Sequence, residues 1–366
     1  MLAAMVAGAA TAVWPPLARA NAGPFFAAAR RNPDGRYSAA IFSTDGKDVT
    51  SVVLPGRGHD VAVCPVSRRC VAFARRPGNF AVVFSADRAE EPIVFTTPDD
   101  RHFYGHGVFS PDGRLLYTTE NDFEAARGVI GVYDATARFG RIGEFASHGI
   151  GPHDLAFLSN PDVLVIANGG LREHPDIGRG RRVLNLDAIE TSLVYVDVAS
   201  GALLEKHVIP AGGSLSLRHL EVGSNDTVVL GAQIVKGVPG GKPLTEGLIY
   251  RHRRQQSLAA TPLPSDASAA LSGYVSSVAV DSAGAVAAAT SSKGGAVVML
   301  DVATGKVLRV ATMADVSGIA RHGHPGDFLL TSGTGAIADV VAAEGRITAL
   351  GEAACNWDNH AVLLGV

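Results

Sequence analysis

The chain has 366 residues, 47% of them hydrophobic and 18% charged, with 42 glycines and 19 prolines. That composition describes a globular protein able to bury a core without staples and excludes a disordered chain. A net charge of −3 with no run of lysines or arginines argues against a nucleic-acid backbone or an anionic membrane surface as partner.

The chain opens with MLAAMVAGAATAVWPPLARA, residues 1–20, almost wholly apolar and closing on the small-residue patterns Ala18-Arg19-Ala20 and Ala20-Asn21-Ala22. These features read as a signal peptide. The segment lacks the basic start that export requires, so the true start is expected upstream, where paired arginines of a twin-arginine leader would lie. It is too short and too broken by Pro15-Pro16 to span a bilayer, which takes about 20 apolar residues, and no later segment reads as transmembrane. A periplasmic location is therefore expected. Cys64 and Cys70 flank a short turn, CPVSRRC, where a disulfide across adjacent strands is expected in an oxidising compartment; the alternative is two small hydrophobes. Cys355 is left over, and no cysteine–histidine spacing reads as a zinc site.

A strand-opening motif then recurs along the chain: GHDVAV at His59, GHGVFS at His106, PHDLAF at His153, RHLEVG at His219, SSVAVD at Ser276, SGIARH at Ser317 and NHAVLL at His360. The mean spacing of about fifty residues is that of propeller blades. Within the unit that starts at His106, four short segments, GVFS, RLLYTTE, GVIGVYDA and RIGEFAS, are apolar or alternating and are separated by Gly, Asp, Asn or Pro turns. The same grammar returns in LVYVDVASGALLEKHVI and AVVMLDVATGKVLRVATM, where Asp-x-x-(Ser/Thr)-Gly makes the turn between third and fourth strands. These units predict an all-β, seven-bladed β-propeller as one domain over 23–366, its blades four-stranded antiparallel sheets, with no long helix. After His360 there is room for one strand only, and Phe25 to Leu54 supplies three. The C-terminal strand should therefore close the ring by pairing with the N-terminal strands.

The widest interval, between His153 and His219, carries an insertion between second and third strands, NGGLREHPDIGRGRRVLNLDAIETS. It is polar and glycine-rich and is not expected in the core. Loops of this length in a compact fold tend to be functional or disordered.

The first strand of each propeller blade lines the central channel, and the loop after the second strand returns to the same rim. A polar bowl is the expected site, with His59, His106, His153, His219 and His360 converging on a metal ion or a small anionic ligand; imidazoles suit zinc, copper, iron or nickel. Glu120, Asn121 and Asp122 are expected beside His106, with Arg75-Arg76, Asn168, Gln233 and Lys293 at matching positions. His174, Asp176 and the arginines Arg179, Arg181 and Arg182 of the insertion are expected over the bowl, able to take a carboxylate or phosphate. The competing reading makes the histidines braces, each ring bonded to backbone or to a loop aspartate between blades. No nucleophile elbow, phosphate-binding loop or H-E-x-x-H pair is present.

Several longer segments, among them FYGHGVFSPDGRLLYTTENDFEAARGVIGVYDA, SHGIGPHDL, VIANGGLREHPDIGRGRRVLNLD, LSLRHLEV, GYVSSVAV and the closing WDNH, resemble the exported bacterial proteins grouped as domain of unknown function 1513. The resemblance covers nearly all of the chain after the leader. His106, Glu120, Asn121, Asp122, His153, Asn168, His174, Asp176, Asn185, Asp187, His219 and His360 match its pattern; Cys64, Cys70 and the missing basic start depart from it. The resemblance implies a secreted propeller, often encoded beside imelysin-like, iron-regulated periplasmic proteins, and hence a role around iron or another transition metal with such a protein as partner. Three readings follow: an accessory of metal uptake that binds a metal ion or a metal-bearing or anionic small ligand; a metal-dependent hydrolase or oxidoreductase with Glu120 as base; and an interaction platform with structural histidines.

Overall fold

A computed structural model describes residues 23–86, 90–178, 182–209, 214–239 and 247–365; the leader-like segment and Arg179 and Arg181 lie outside them. The described residues form seven antiparallel sheets arranged as the blades of a propeller. Their innermost strands, Gly58–Val63, Arg101–Phe109, Pro152–Phe157, Leu215–Val222, Ser277–Val280, Val316–Arg321 and the closing Val362–Gly365, neighbour one another around the axis. Ser265–Ala270 is the one α-helix among the described residues, and no helix there is long and apolar enough to cross a membrane.

The turns that separate the strands are written in the sequence. In the repeated Asp-x-x-(Ser/Thr)-Gly, Asp197 Oδ1 accepts from the Ser200 amide at 2.9 Å and its hydroxyl at 2.5 Å, and Gly201, at φ 68°, donates to the Asp197 carbonyl at 2.8 Å. Asp301, Thr304 and Gly305 repeat this geometry. The carboxylate satisfies amides that the turn would otherwise leave open.

Between blades the core is apolar and aromatic. Phe73, Phe95, Phe103, Tyr133 and Phe139 fill the gap between the second and third sheets, with Phe95 and Phe139 stacked at 5.4 Å. Burying such a side chain stabilises by about 1.5–3 kcal/mol, and the sum holds adjacent sheets face to face. The ring closes as expected. Phe25–Arg31 pairs on one side with Tyr37–Ser43 and on the other with two pieces of the C-terminal strand, Asn356–Trp357 and Val362–Gly365, with Ala27 opposite Val362 and Arg30 opposite Trp357.

Two expectations are corrected. Cys64 and Cys70 are not joined by a disulfide. Cys70 stands opposite Val63, one register step from Cys64, so the side chains point to opposite faces, and the two residues belong to different clusters. The insertion is not wholly outside the core either: Leu171 is 3% and Glu173 2% exposed.

Candidate metal centre

The histidines owe their position to a repeated break in strand register. In the inner strands pairing slips between Gly58 and Val61, Phe103 and Gly107, Pro152 and Asp154, Leu217 and Leu220, and Val316 and Gly318. His59, His106, His153 and His219 each lie in one of these slips, and His360 lies in the gap between the two closing segments. A bulge re-aims the side chain that it carries, and here it turns imidazoles towards the axis. Close packing of the rings then demands a small neighbour. Gly105 sits at φ 111°, and a Cβ there would come 2.4 Å from His59 Cδ2.

The five rings form one buried cluster. The recorded centroid separations run from 4.5 Å for His219–His360 to 6.2 Å for His59–His219. Two sets of three, His59–His106–His153 and His106–His219–His360, have ring nitrogens within 4.8 Å of one another. Burial drives the pKa of His59, His153 and His219 well below the ordinary imidazole value and that of His360 down to about 3, with neighbouring imidazoles and arginines adding to the effect. His106 is the exception. Burial opposes its charge, but Asp154 Oδ1 at 3.4 Å and Asp60 Oδ2 at 3.1 Å outweigh burial and raise its pKa. Neutral imidazole is the form that ligates a metal.

The cluster separates two spaces of opposite character. Above it, at the rim reached by the loops after the second strands, lies a cavity of about 50 Å³ lined by His59, His153 and His219 with Arg75, Arg76, Arg218, Tyr104, Gln233 and Tyr274. Asp358 of the closing WDNH segment takes Arg57 at 2.6 Å and Arg75 at 2.8 Å, and Glu173 of the insertion takes Arg76 at 3.1 Å. Below lies a channel of about 580 Å³ whose upper end carries His106, His219 and His360 with Asp60, Asp154 and Glu221. Burial raises the Glu221 pKa to about 7 despite Arg321 nearby. The rim is basic, and the channel end is acidic.

Of the other side chains expected at the bowl, Arg75, Arg76 and Gln233 are the ones among the described residues that line the cavity. Lys293 stands one layer out, its Nζ 4.6 Å from the Tyr274 ring centre. Glu120, Asn121 and Asp122 do not form a rim loop. They are the last residues of the strand Leu115–Asp122, paired with Phe103, His102 and Arg101, because the inner strand begins five residues before His106. Glu120 turns into the blade, where Thr118, Tyr133 and Arg141 hold it at 2.7–2.8 Å. Asn121 pins the insertion by donating to the Glu173 carbonyl at 3.1 Å, and Asp122 binds Arg127 at 2.7 Å and the Ala125 amide at 3.0 Å. Asn168 donates to the Ser147 carbonyl at 3.0 Å. His174 packs on Phe123, Asp176 has 88% of its side chain exposed, and Arg182 is exposed on the insertion.

Sequence reasoning missed Tyr104, Arg218, Asp60, Asp154 and Glu221. Asp60 and Asp154 each follow a motif histidine directly, Glu221 follows one two residues on and Arg218 precedes one directly, so the motif itself carried the signal.

The donor set suits a borderline divalent ion. His106 Nε2, His219 Nδ1 and His360 Nε2 are buried without a hydrogen-bond partner, and Asp60 and Asp154 face the other nitrogen of His106, Nδ1. Three imidazoles are ligands that zinc, copper and iron accept, and a carboxylate on the far nitrogen of a ligating ring holds it in place. The molecule is thus a seven-bladed propeller whose axis is plugged by a buried histidine cluster.

Residues 52–364 match the family described as a protein of unknown function, DUF1513, and the chain belongs to that family. A search of curated proteins returns no match. Among solved structures, the hydrazine synthase of Kuenenia stuttgartiensis is similar with a TM-score of 0.57 at 15% identity, over 96% of this chain and all of that one. A chain of a nidogen/laminin complex is similar with a TM-score of 0.52 at 10% identity, over 94% of this chain and 99% of that one. At these identities the likeness is one of fold.

Proposed function

We propose that this protein holds one transition metal ion, zinc, copper or iron, on His106, His219 and His360 at the top of the channel, with Asp60 and Asp154 orienting the His106 ring through its other nitrogen. The observation that carries this is the set of three buried, clustered imidazoles, each with a ring nitrogen lacking a hydrogen-bond partner, one of them oriented through its other nitrogen by two carboxylates. The channel side is favoured over the rim because arginines crowd His59 and His153 and a cation there would be repelled. The leader-like residues 1–20 and the family's implied association with iron-regulated imelysin-like proteins support an exported, periplasmic accessory of metal uptake. Nothing in the site calls for turnover: Glu120, the base that a hydrolase reading required, is engaged with Arg141 inside its blade.

A second reading has its own observation. His106 bonds Asp60 of the preceding blade, and His360 Nδ1 lies 3.0 Å from Ser277 Oγ across the axis, contacts that also brace blades. Elemental analysis of protein purified from its native compartment, then stripped and titrated with zinc, copper and ferrous iron in turn, separates the two. One equivalent retained by wild type and lost in His106→Ala/His219→Ala is the metal reading's result; folded wild-type protein that retains none of the three leaves only the brace.

A further inference from the structure

We propose that the rim cavity above the histidine cluster is a separate site for one small oxyanion of carboxylate or carbonate size, held by Arg218 and Arg76 with Tyr104 as a neutral donor. This deepens the reading of the propeller mouth as a ligand site but does not depend on a metal being bound below.

The argument starts from Arg218. The residue is 3% exposed, and its one side-chain hydrogen bond among the described residues is Nη1 to His153 Nδ1 at 3.3 Å; Nε and Nη2 are buried without a hydrogen-bond partner and the residue lines the cavity. Leaving a guanidinium desolvated and unpaired costs several kcal/mol in general, so a fold that keeps one there is built to receive an anion. Tyr104 gives a second, independent indication: its hydroxyl is buried without a partner and faces the same space. Arg76 supplies the next cation, currently shared with Glu173. Four arginines, at 57, 75, 76 and 218, stand against two carboxylates, Asp358 and Glu173, leaving a surplus of two positive charges around the mouth.

Size sets the class. A cavity of about 50 Å³ admits a few water-sized centres, enough for formate, bicarbonate or a single carboxylate head and too little to enclose a whole nucleotide or sugar. Arginine forks match planar carboxylates through paired N–H donors. Glu173 lends the mouth a carboxylate of its own, carried on the insertion and fastened by Asn121. An incoming anion competes with it for Arg76, so the insertion sets the affinity.

The test is calorimetric titration of metal-stripped full-length protein with formate, bicarbonate and phosphate, chloride serving as the ionic-strength control. One saturable site for formate or bicarbonate is expected, weakened at least about tenfold in Arg218→Gln, the loss of one charge-assisted contact, and strengthened in Glu173→Gln. Opposite effects from two substitutions in the same cavity are not the mark of general damage, and Glu173→Gln remains informative if Arg218→Gln fails to fold. No saturable binding of any of the three anions to wild type and to Glu173→Gln overturns the proposal, as does unchanged affinity in a folded Arg218→Gln. Anion binding without metal binding sinks the metal centre alone, and metal binding without anion binding sinks this site alone.

Discussion

His106 Nδ1 lies 3.1 Å from Asp60 Oδ2, and the pair joins two neighbouring blades at the axis. Of the five clustered imidazoles, His106 is the one whose proton the fold favours. The other four are held neutral, chiefly by burial.

The two classes of histidine have opposite linkage. His59, His153, His219 and His360 have lowered folded pKa values, so the unfolded chain binds protons that the fold refuses. Their stabilisation is present above the ordinary imidazole pKa of about 6.5 and is lost as pH falls, by about 1.4 kcal/mol per pH unit for each. His106 has a raised folded pKa; its contribution is full below about 6.5 and is lost as pH rises through the folded value. Urea unfolding of metal-free protein between neutral and mildly acid pH should show steep acid destabilisation. An Asp60→Asn/Asp154→Asn double variant should move the His106 titration, followed by NMR, from above the ordinary value to below it.

Glu120→Ala is expected to damage the fold and spare the metal. Its carboxylate is fully buried against Arg141, Thr118 and Tyr133. Removing one partner of such a buried pair costs about 3 kcal/mol or more. Denaturant unfolding should show that loss, and the metal content of the folded fraction should equal wild type.

Gly105→Ala places a side chain at φ 111° and against the His59 ring. The backbone strain alone costs about 1–3 kcal/mol, and His59 must shift to make room. A lowered melting temperature with displaced His59 resonances is expected, while Gly143→Ala, which meets nothing within 4 Å, serves as the neutral control.

Deleting Val362–Gly365 removes the strand that closes the ring on Phe25–Arg31. Buried Leu364 and half-buried Leu363 leave their clusters, at about 2 kcal/mol for a fully buried aliphatic side chain. Limited proteolysis should cut the shortened chain within the first or last blade under conditions that leave the full chain whole.

The repeat spacing, the Asp-x-x-(Ser/Thr)-Gly turns and the room for a single strand after His360 made the architecture readable, because each is a local rule repeated around an axis. The convergence of the five histidines was legible for the same reason. Less legible were the side chains around them. Glu120 reads from the sequence as a rim residue because nothing in TTEND shows where the strand ends; pairing with Arg101–Phe103 carries it on to Asp122. Asp60 and Asp154 were passed over because an unbroken strand would point them away from their histidine neighbours, and the register slips that reset the inner strands leave no mark on a hydrophobic pattern.

The central claim is tested most directly by anomalous diffraction from crystals of the full chain soaked with zinc. The account predicts one strong peak on the propeller axis, within bonding distance of His106, His219 and His360 and on the channel side of the ring. A map without a peak at saturating zinc, or with its peak only on surface residues while the five imidazoles keep their present contacts, contradicts it.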